Sequence, residues 1–154
     1  MALICLSTAV VLLDQATKFW IQSHMATGES WPVLAGIFHI TYILNAGAAF
    51  GILENKTWFF IGVALFLIGG MAYIYPELLA EKPLLRFGAG LLTGGAVGNL
   101  IDRIRIGSVV DFFDFRIWPV FNVADICIVC GVGCLIYTLL ITRETEAGRG
   151  GGEH

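Results

Sequence analysis

Charged residues are scarce in this chain. They make up 14% of its 154 residues, whereas 57% are hydrophobic; a soluble domain has about 25% charged residues. The formal net charge is −3, and no basic stripe runs along the chain. These two absences exclude nucleic-acid-binding proteins as a class. With a mean hydropathy of +0.81, the composition indicates an integral membrane protein.

The N-terminus lacks two features of a cleavable signal peptide. No basic segment precedes the first apolar run, and Asp14 and Lys18 take the place of a small-residue cleavage site. We therefore interpret this run as a retained membrane span. The chain is expected to form one membrane-embedded domain over residues 1–142. The glycine-rich tail, 143–154, is expected to be disordered.

The cysteines lack the partners of a metal site. Cys127, Cys130 and Cys134 recur at helical spacing, and Cys5 lies on another apolar run. A zinc site would need histidine or carboxylate ligands and charge compensation nearby. We interpret these thiols as small packing residues, and their depth argues against a structural disulfide. No metal or other cofactor is expected.

Four apolar runs are long enough to cross a bilayer, which takes ~20 helical residues. They lie at about 2–22, 57–75, 84–104 and 121–141. The second run is expected to stop before Pro76. Glycines along the third run would let helices approach closely in lipid.

Two long connections join the spans. Within 23–56, the stretch HITYIL (39–44) has β-like composition, and NAGAAFGIL (45–53) predicts a short interfacial helix. Residues 105–120 are expected to form a loop. The predicted fold class is therefore an all-α membrane protein: a four-helix bundle with a small β-like cradle and a short interfacial helix.

The polar residues of the spans fall at one end of the predicted bundle. Consecutive spans alternate direction, so the end of span 1, the start of span 2, the end of span 3 and the start of span 4 share a membrane face. The two long connections lie on that face too. A single polar site near one membrane surface is therefore predicted. Its members are Asp14, Lys18, Asn45, Asn99, Asp102, Arg103, Asp111, Asn122 and Asp125.

Asp111 and Asp125 are the candidate catalytic pair. They occur in the similar settings VVDFFDF (109–115) and FNVADI (121–126), without a basic neighbour at helical spacing. In apolar surroundings one carboxyl group should stay protonated while the other is ionised, which is the chemistry of an aspartic hydrolase. Their spacing is not specific, because two aspartates can equally bind a cation or carry protons.

The remaining candidates have structural interpretations beside the functional one. Asp14 and Lys18 stand at i,i+4 and can form an ion pair at a helix end. Asn45 can cap a helix or hold a substrate backbone. We interpret Asp102 and Arg103 as a structural pair that also orients the site, because an arginine in a membrane needs neutralising.

Five ordered motifs carry a resemblance that covers roughly residues 10–130. They are DQATK (14–18), NAGAAFG (45–51), GGAVGNLIDR (94–103), VVDFFDF and FNVADI. In this order on four spans, they resemble the bacterial lipoprotein signal peptidases, also called signal peptidase II.

The resemblance implies an aspartic endopeptidase with Asp111 and Asp125 as its catalytic pair. Its substrates would be prolipoproteins whose cysteine already carries diacylglycerol, cut just before that cysteine. Asp14, Asn45, Asn99, Asp102, Arg103 and Asn122 would position the pair and hold the substrate backbone. Membrane lipids are the other expected partner, nucleic acid is not expected, and a monomer can enclose the site.

Orientation follows from the resemblance and not from charge. Lysine and arginine number four on one predicted face and five on the other, so the positive-inside rule does not decide. The resemblance implies the bacterial inner membrane, with both termini and the tail cytoplasmic and the site near the outer leaflet. The rival hypotheses are a small proton- or ion-coupled carrier and a structural membrane subunit, although acidic residues gathered at one face trace no path across.

Overall fold

The computed structural model describes residues 2–47, 56–80 and 83–150. Within these residues four helices and three strands occur. They are, in order, α1 (Ala2–His24), β1 (Ser30–Leu34), β2 (Phe38–Asn45), α2 (Thr57–Ala80), α3 (Pro83–Ile106), β3 (Val109–Asp114) and α4 (Val123–Gly150). Each helix contains a segment long and apolar enough to cross a membrane. The four predicted spans correspond to these helices.

Helix α3 lies at the centre of the bundle and packs against α1, α2 and α4. Its glycines allow the close approach. A Cβ at Gly94 would lie 2.7 Å from the Cβ of Val10 on α1, and one at Gly88 would lie 2.7 Å from the Cβ of Cys134 on α4. The prediction that these glycines serve packing is confirmed.

The three strands form one antiparallel sheet in the order β1-β2-β3. Its buried residues Tyr42, Val110 and Phe112 form a hydrophobic cluster with Ile21 of α1 and with Met25, the residue after α1. This contact fixes the sheet to the end of α1, the same end of the bundle at which α3 ends and α4 begins.

The all-α fold class is wrong in its detail, because a three-stranded sheet accompanies the four helices. HITYIL lies inside β2, so its β-like reading is confirmed. The predicted loop 105–120 contains β3, which pairs with β2. Valine and phenylalanine, which make up four of the six residues of β3, favour strands, and six residues are enough for one. Strand β3 forms because β2 provides hydrogen-bond partners for its backbone, and the prediction of a loop did not take this pairing into account.

A glycine sets the link from α3 to β3. Gly107 has a φ of 77°, which is the left-handed conformation that glycine adopts readily. Its N–H donates to the carbonyl of Arg103 and so caps the last turn of α3. The chain then enters β3 within two residues. Asp111 on β3 consequently lies next to the end of α3.

Two helices extend beyond their predicted ends. Helix α2 passes Pro76 and ends at Ala80, although the apolar span within it, Thr57–Ile74, stops before the proline as expected. Proline removes one N–H donor, but the residues after it, Glu77–Ala80, favour helix. Helix α4 continues to Gly150, through part of the tail expected to be disordered. The predicted interfacial helix at 45–53 lies mostly outside the described residues.

Candidate active site

The structure brings the nine predicted polar side chains to one end of the bundle. Helix α1 contributes two, α3 three, α4 one, and the strands and the residue before α4 the rest. They are Asp14, Lys18, Asn45, Asn99, Asp102, Arg103, Asp111, Asn122 and Asp125. Apart from Arg103, they form one continuous hydrogen-bonded network. The predicted convergence is therefore present, while the catalytic and supporting roles stay predictions.

Lys18 forms a buried ion network between α1 and α3. Its side chain is 2% exposed, and its Nζ lies 2.8 Å from Asp14 Oδ2 and 2.9 Å from Asp102 Oδ2. A third contact, 2.9 Å long, joins Nζ to Asn99 Oδ1. All three donors of the ammonium group are thereby used. The predicted i,i+4 ion pair of Asp14 and Lys18 is therefore present, and it is buried inside the bundle.

The two carboxylates of this network also hold backbone groups. Asp14 Oδ1 accepts from the N–H of Ala124 at 3.0 Å, which satisfies a free donor in the first turn of α4. Asp102 Oδ2 accepts from the N–H of Val110 at 3.1 Å, at the start of β3. The ion network therefore fixes α4 and β3 relative to α1 and α3.

The predicted pair between Asp102 and Arg103 is wrong. Asp102 pairs with Lys18, and successive residues on a helix point in different directions. The guanidinium of Arg103 lies 4.8 Å from the ring centroid of Phe60 on α2, and its Nη2 lies 3.3 Å from the carbonyl oxygen of Gly47. A cation–π contact therefore replaces the expected ion pair.

Asp111 is buried on β3 and accepts two amide hydrogen bonds. Asn122 Nδ2 donates to its Oδ1 at 2.6 Å, and Asn45 Nδ2 donates to its Oδ2 at 2.9 Å. Burial and then the nearby charge of Asp125 raise the pKa of Asp111 to about 7, against the opposite effect of the two amides. Asp111 is therefore poised to exchange a proton near neutral pH.

Asp125 lies in the first turn of α4 and forms a capping box with Asn122. The N–H of Asp125 donates to Asn122 Oδ1 at 2.9 Å, and the N–H of Asn122 donates to Asp125 Oδ2 at 3.2 Å. The other carboxylate oxygen accepts from Asn99 Nδ2 at 2.8 Å. Each of the four oxygens of Asp111 and Asp125 thus accepts one N–H.

Both aspartates line one cavity of about 400 Å³. Its walls come from α2, α3, α4 and the segment between β3 and α4, and most of the lining is apolar. Arg103 contributes a cation to the lining, and Trp118 lines the wall formed by the segment between β3 and α4. Two carboxyl groups and a cationic donor in a mainly apolar cavity can activate water and stabilise an oxyanion.

Sequence reasoning missed Gln15. Its Nε2 lies 3.0 Å from Asp102 Oδ1, 3.2 Å from Asp14 Oδ2 and 3.2 Å from the carbonyl of Gly98. Gln15 adjoins Asp14 within DQATK, and a polar residue inside an apolar run was the available signal. Among the described residues, no three His, Cys, Asp or Glu side chains are placed to hold a metal ion.

Comparison with protein families gives a match over most of the chain. The family described as Signal peptidase (SPase) II matches residues 6–141. The chain is 50% identical over 140 residues to the lipoprotein signal peptidase of Pelotomaculum thermopropionicum, covering 91% of this chain and 92% of the relative. It is 47% identical over 149 residues to that of Moorella thermoacetica, covering 97% and 99%.

Two solved structures share the fold. Both are described as bacterial membrane enzymes. One superposes with a TM-score of 0.87 at 35% identity, covering 94% of this chain and 90% of the other. The second has a TM-score of 0.81 at 36% identity, with coverages of 90% and 92%.

Proposed function

Since the chain belongs to the signal peptidase II family, we propose that it is a membrane aspartic endopeptidase acting on diacylglyceryl-modified prolipoproteins. It removes the signal peptide by cutting just before the lipidated cysteine. The observation that carries the aspartic mechanism is the pair Asp111 and Asp125, held by amide donors at one cavity. No cofactor takes part in the proposed reaction.

The two aspartates have different tasks in this mechanism. Asp111, whose pKa is raised by burial to about 7, holds the shared proton and donates it to the scissile carbonyl oxygen. Asp125 is the ionised partner that takes a proton from the attacking water. The water oxygen bonds to the carbonyl carbon. Collapse of the tetrahedral intermediate breaks the C–N bond. Asp125 passes its proton to the leaving amine, and one hydroxyl of the intermediate returns a proton to Asp111, which leaves a carboxylic acid and restores the pair.

The neighbouring polar groups position the pair. Asn45, Asn99 and Asn122 each donate to one of its oxygens. Asp14, Lys18 and Asp102 fix α4 and β3, the elements that bear the pair. Arg103 lines the cavity, where its guanidinium can approach the substrate backbone or the developing oxyanion.

The cavity walls suit a lipidated peptide. Apolar residues of α2, α3 and α4, among them Phe60, Leu67 and Ile128, line the cavity together with the aspartates. Since these helices span the membrane, a membrane-anchored substrate can present its scissile bond without leaving the bilayer. The apolar lining also lowers the local polarity, which strengthens the interactions of the reacting charges.

The rival hypothesis of an ion carrier fits this geometry less well. Each oxygen of Asp111 and Asp125 already accepts an N–H from an amide. A cation site instead needs carboxylate or carbonyl oxygens free to turn towards the ion. The donors around the pair therefore disfavour a cation. A proton-coupled carrier would need acidic residues along the whole bundle, whereas the buried ones among the described residues lie at the site end.

The proposal includes the placement of the chain. Residues 1–142 form one domain in the bacterial inner membrane, with both termini in the cytoplasm and the site near the outer leaflet, where the sheet forms an extracytoplasmic cradle. Membrane lipids surround the apolar faces, and one copy of the chain is sufficient for activity, because a single bundle supplies the whole polar network.

Cleavage by the purified chain tests the function. The protein in detergent should convert a diacylglyceryl-prolipoprotein to its shorter form. Asp111→Asn and Asp125→Asn should each reduce turnover by roughly 100-fold or more, since each removes half of a shared-proton pair. Asp114→Asn is the matched control: it lies on the same strand, bound to Thr41 and Arg116 instead, and should retain most activity.

Two results would refute the proposal. Wild-type protein that fails to cut the lipidated substrate would contradict the function. Substantial turnover by a folded Asp111→Asn or Asp125→Asn variant would contradict the assigned pair and leave the family's reaction to other residues.

A further inference from the structure

The contact with Lys18 determines how the Asn99 side-chain amide is oriented. An ammonium group carries three donors and no acceptor. The atom of Asn99 that lies 2.9 Å from Lys18 Nζ must therefore be its oxygen. The amide nitrogen of Asn99 is then turned towards Asp125 Oδ1, 2.8 Å away. A carboxylate only accepts, so both ends of the Asn99 side chain demand the same orientation.

The same constraint passes from Asn99 to Asn122. The Nδ2 of Asn122 lies 3.1 Å from Asn99 Oδ1 and 2.6 Å from Asp111 Oδ1. Its Oδ1 accepts from the backbone N–H of Asp125 at 2.9 Å. In the opposite orientation Asn122 would set an oxygen against two acceptors and a nitrogen against a donor. One orientation therefore satisfies every contact.

We propose that Lys18 is a positioning residue that sets the orientation of the Asn99 and Asn122 amides, so that donors face both carboxyl groups of the Asp111–Asp125 pair. Lys18 touches neither aspartate. Its charge lowers the pKa of Asp111 from a distance, and the proposed positioning acts through the two amides. The proposal rests on the function proposed above and assigns to Lys18 a task beyond neutralising Asp14 and Asp102.

The burial of Lys18 supports this task. Its ammonium group is enclosed by Asp14, Asp102 and Asn99, with 2% of the residue exposed. Two carboxylates already neutralise one ammonium group, so the contact with Asn99 is not needed for charge balance. Without Lys18, the oxygen of Asn99 would keep only the Asn122 donor at 3.1 Å. The Asn99 amide would then be held less firmly, and in its turned orientation its oxygen would face Asp125.

The test separates the donor from the charge. Lys18→Met combined with Asp102→Asn leaves a formal charge of −1 on the three positions, the same as Asp14, Lys18 and Asp102 carry together. Two controls are needed. The wild type has the same formal charge as the double variant, and Asp102→Asn alone lacks the Asp102 carboxylate but keeps the contact between Lys18 and Asn99. All three proteins are full-length, in detergent, and are assayed on a diacylglyceryl-prolipoprotein.

We expect the double variant to have a kcat at least about 10-fold below those of both controls, with a KM within about twofold, because misplaced reacting groups slow the chemical step. Compared with the wild type, which has the same formal charge, the acid limb of its pH–rate profile should move to higher pH, since the pair loses a donor. In protein labelled with ¹⁵N-asparagine, the side-chain amide signals of Asn99 and Asn122 should shift in the double variant alone.

Equal kcat values and amide signals in the double variant and in Asp102→Asn would overturn the proposal, while cleavage by the wild type would still support the function. If the double variant does not fold, Lys18→Met with Asp14→Asn is compared with Asp14→Asn by the same measurements. An asparagine at position 14 can still accept from the N–H of Ala124, so that comparison keeps the contact to α4.

Discussion

At the scale of single residues, burial and hydrogen bonding have opposite effects on the pKa of Asp111. Burial and a neighbouring negative charge favour the protonated form of Asp111, whereas Asn45 and Asn122 favour its ionised form. The result is a pKa of about 7, between that of an exposed carboxyl group, near 4, and that of a fully buried one. A proton that is held at pH 6 and lost at pH 8 suits a proton donor working near neutrality.

A pH prediction follows for Asn45. In the proposed mechanism the enzyme is active while Asp111 is protonated, so the rate should fall as the pH rises through about 7. Asn45→Ala removes a hydrogen bond that lowers the pKa of Asp111. The alkaline limb of the kcat/KM profile should therefore move up by about half a unit to one unit.

The control is Ser30→Ala on the same sheet, which bonds to His39 and Thr41 away from the cavity. Its alkaline limb should stay at the wild-type pH. An alkaline limb that stays in place or moves down in Asn45→Ala would show that Asp111 does not hold the proton.

At the scale of elements, Gly98 on α3 makes room for the ion network. A Cβ there would lie 2.6 Å from Asp14 Oδ2 and 3.1 Å from its Cγ. The Asp14 carboxylate cannot easily move away, because it binds Lys18 and the N–H of Ala124. The sequence signal was a glycine one residue before Asn99, which without a structure is indistinguishable from glycines that serve helix packing.

Gly98→Ala should therefore lower stability by about 1–3 kcal/mol, as overpacking does, and should also lower the cleavage rate by displacing the start of α4. Gly69→Ala on α2 is the matched control, since a Cβ there meets nothing within 4 Å. Thermal unfolding in detergent and the cleavage assay measure the two effects. Wild-type stability and rate in Gly98→Ala would show that Asp14 has room to shift.

The sequence predicted the elements that depend on local pattern and missed those that depend on distant partners. Long apolar runs define the helices, and alternating span direction brings Asp14, Asn99 and Asp125 to one end. Strand β3 was missed because its partner β2 lies about 70 residues earlier. The pairing of Asp102 with Lys18 was missed for the same reason: helical spacing identifies partners on one helix, and this pair joins two.

At the scale of the whole molecule, the structure shows which lysines and arginines belong to the site and should be left out when membrane orientation is inferred from charge. Lys18 lies in the buried ion network, and Arg103 lines the cavity. Without them, the site end of the chain retains Lys56, Arg105 and Arg116, against the four lysines and arginines that the order of the spans predicts for the other face. Arg116 is also paired with Asp114. The remaining bias weakly favours a cytoplasmic location for both termini.

Cysteine labelling in intact cells tests this orientation. In a variant whose four cysteines, which are free thiols, are replaced by alanine, Ile117→Cys places one thiol at the site end, where Ile117 is 93% exposed. Ala147→Cys places it in the last turns of α4, at the opposite end. A membrane-impermeant maleimide applied from outside should label the first variant. It should label the second only after the membrane is opened, because a charged reagent does not cross the bilayer.

The reverse labelling pattern would put the site on the cytoplasmic side, where the proposed substrate does not present its scissile bond. That result would contradict the proposed placement even if cleavage in detergent were normal.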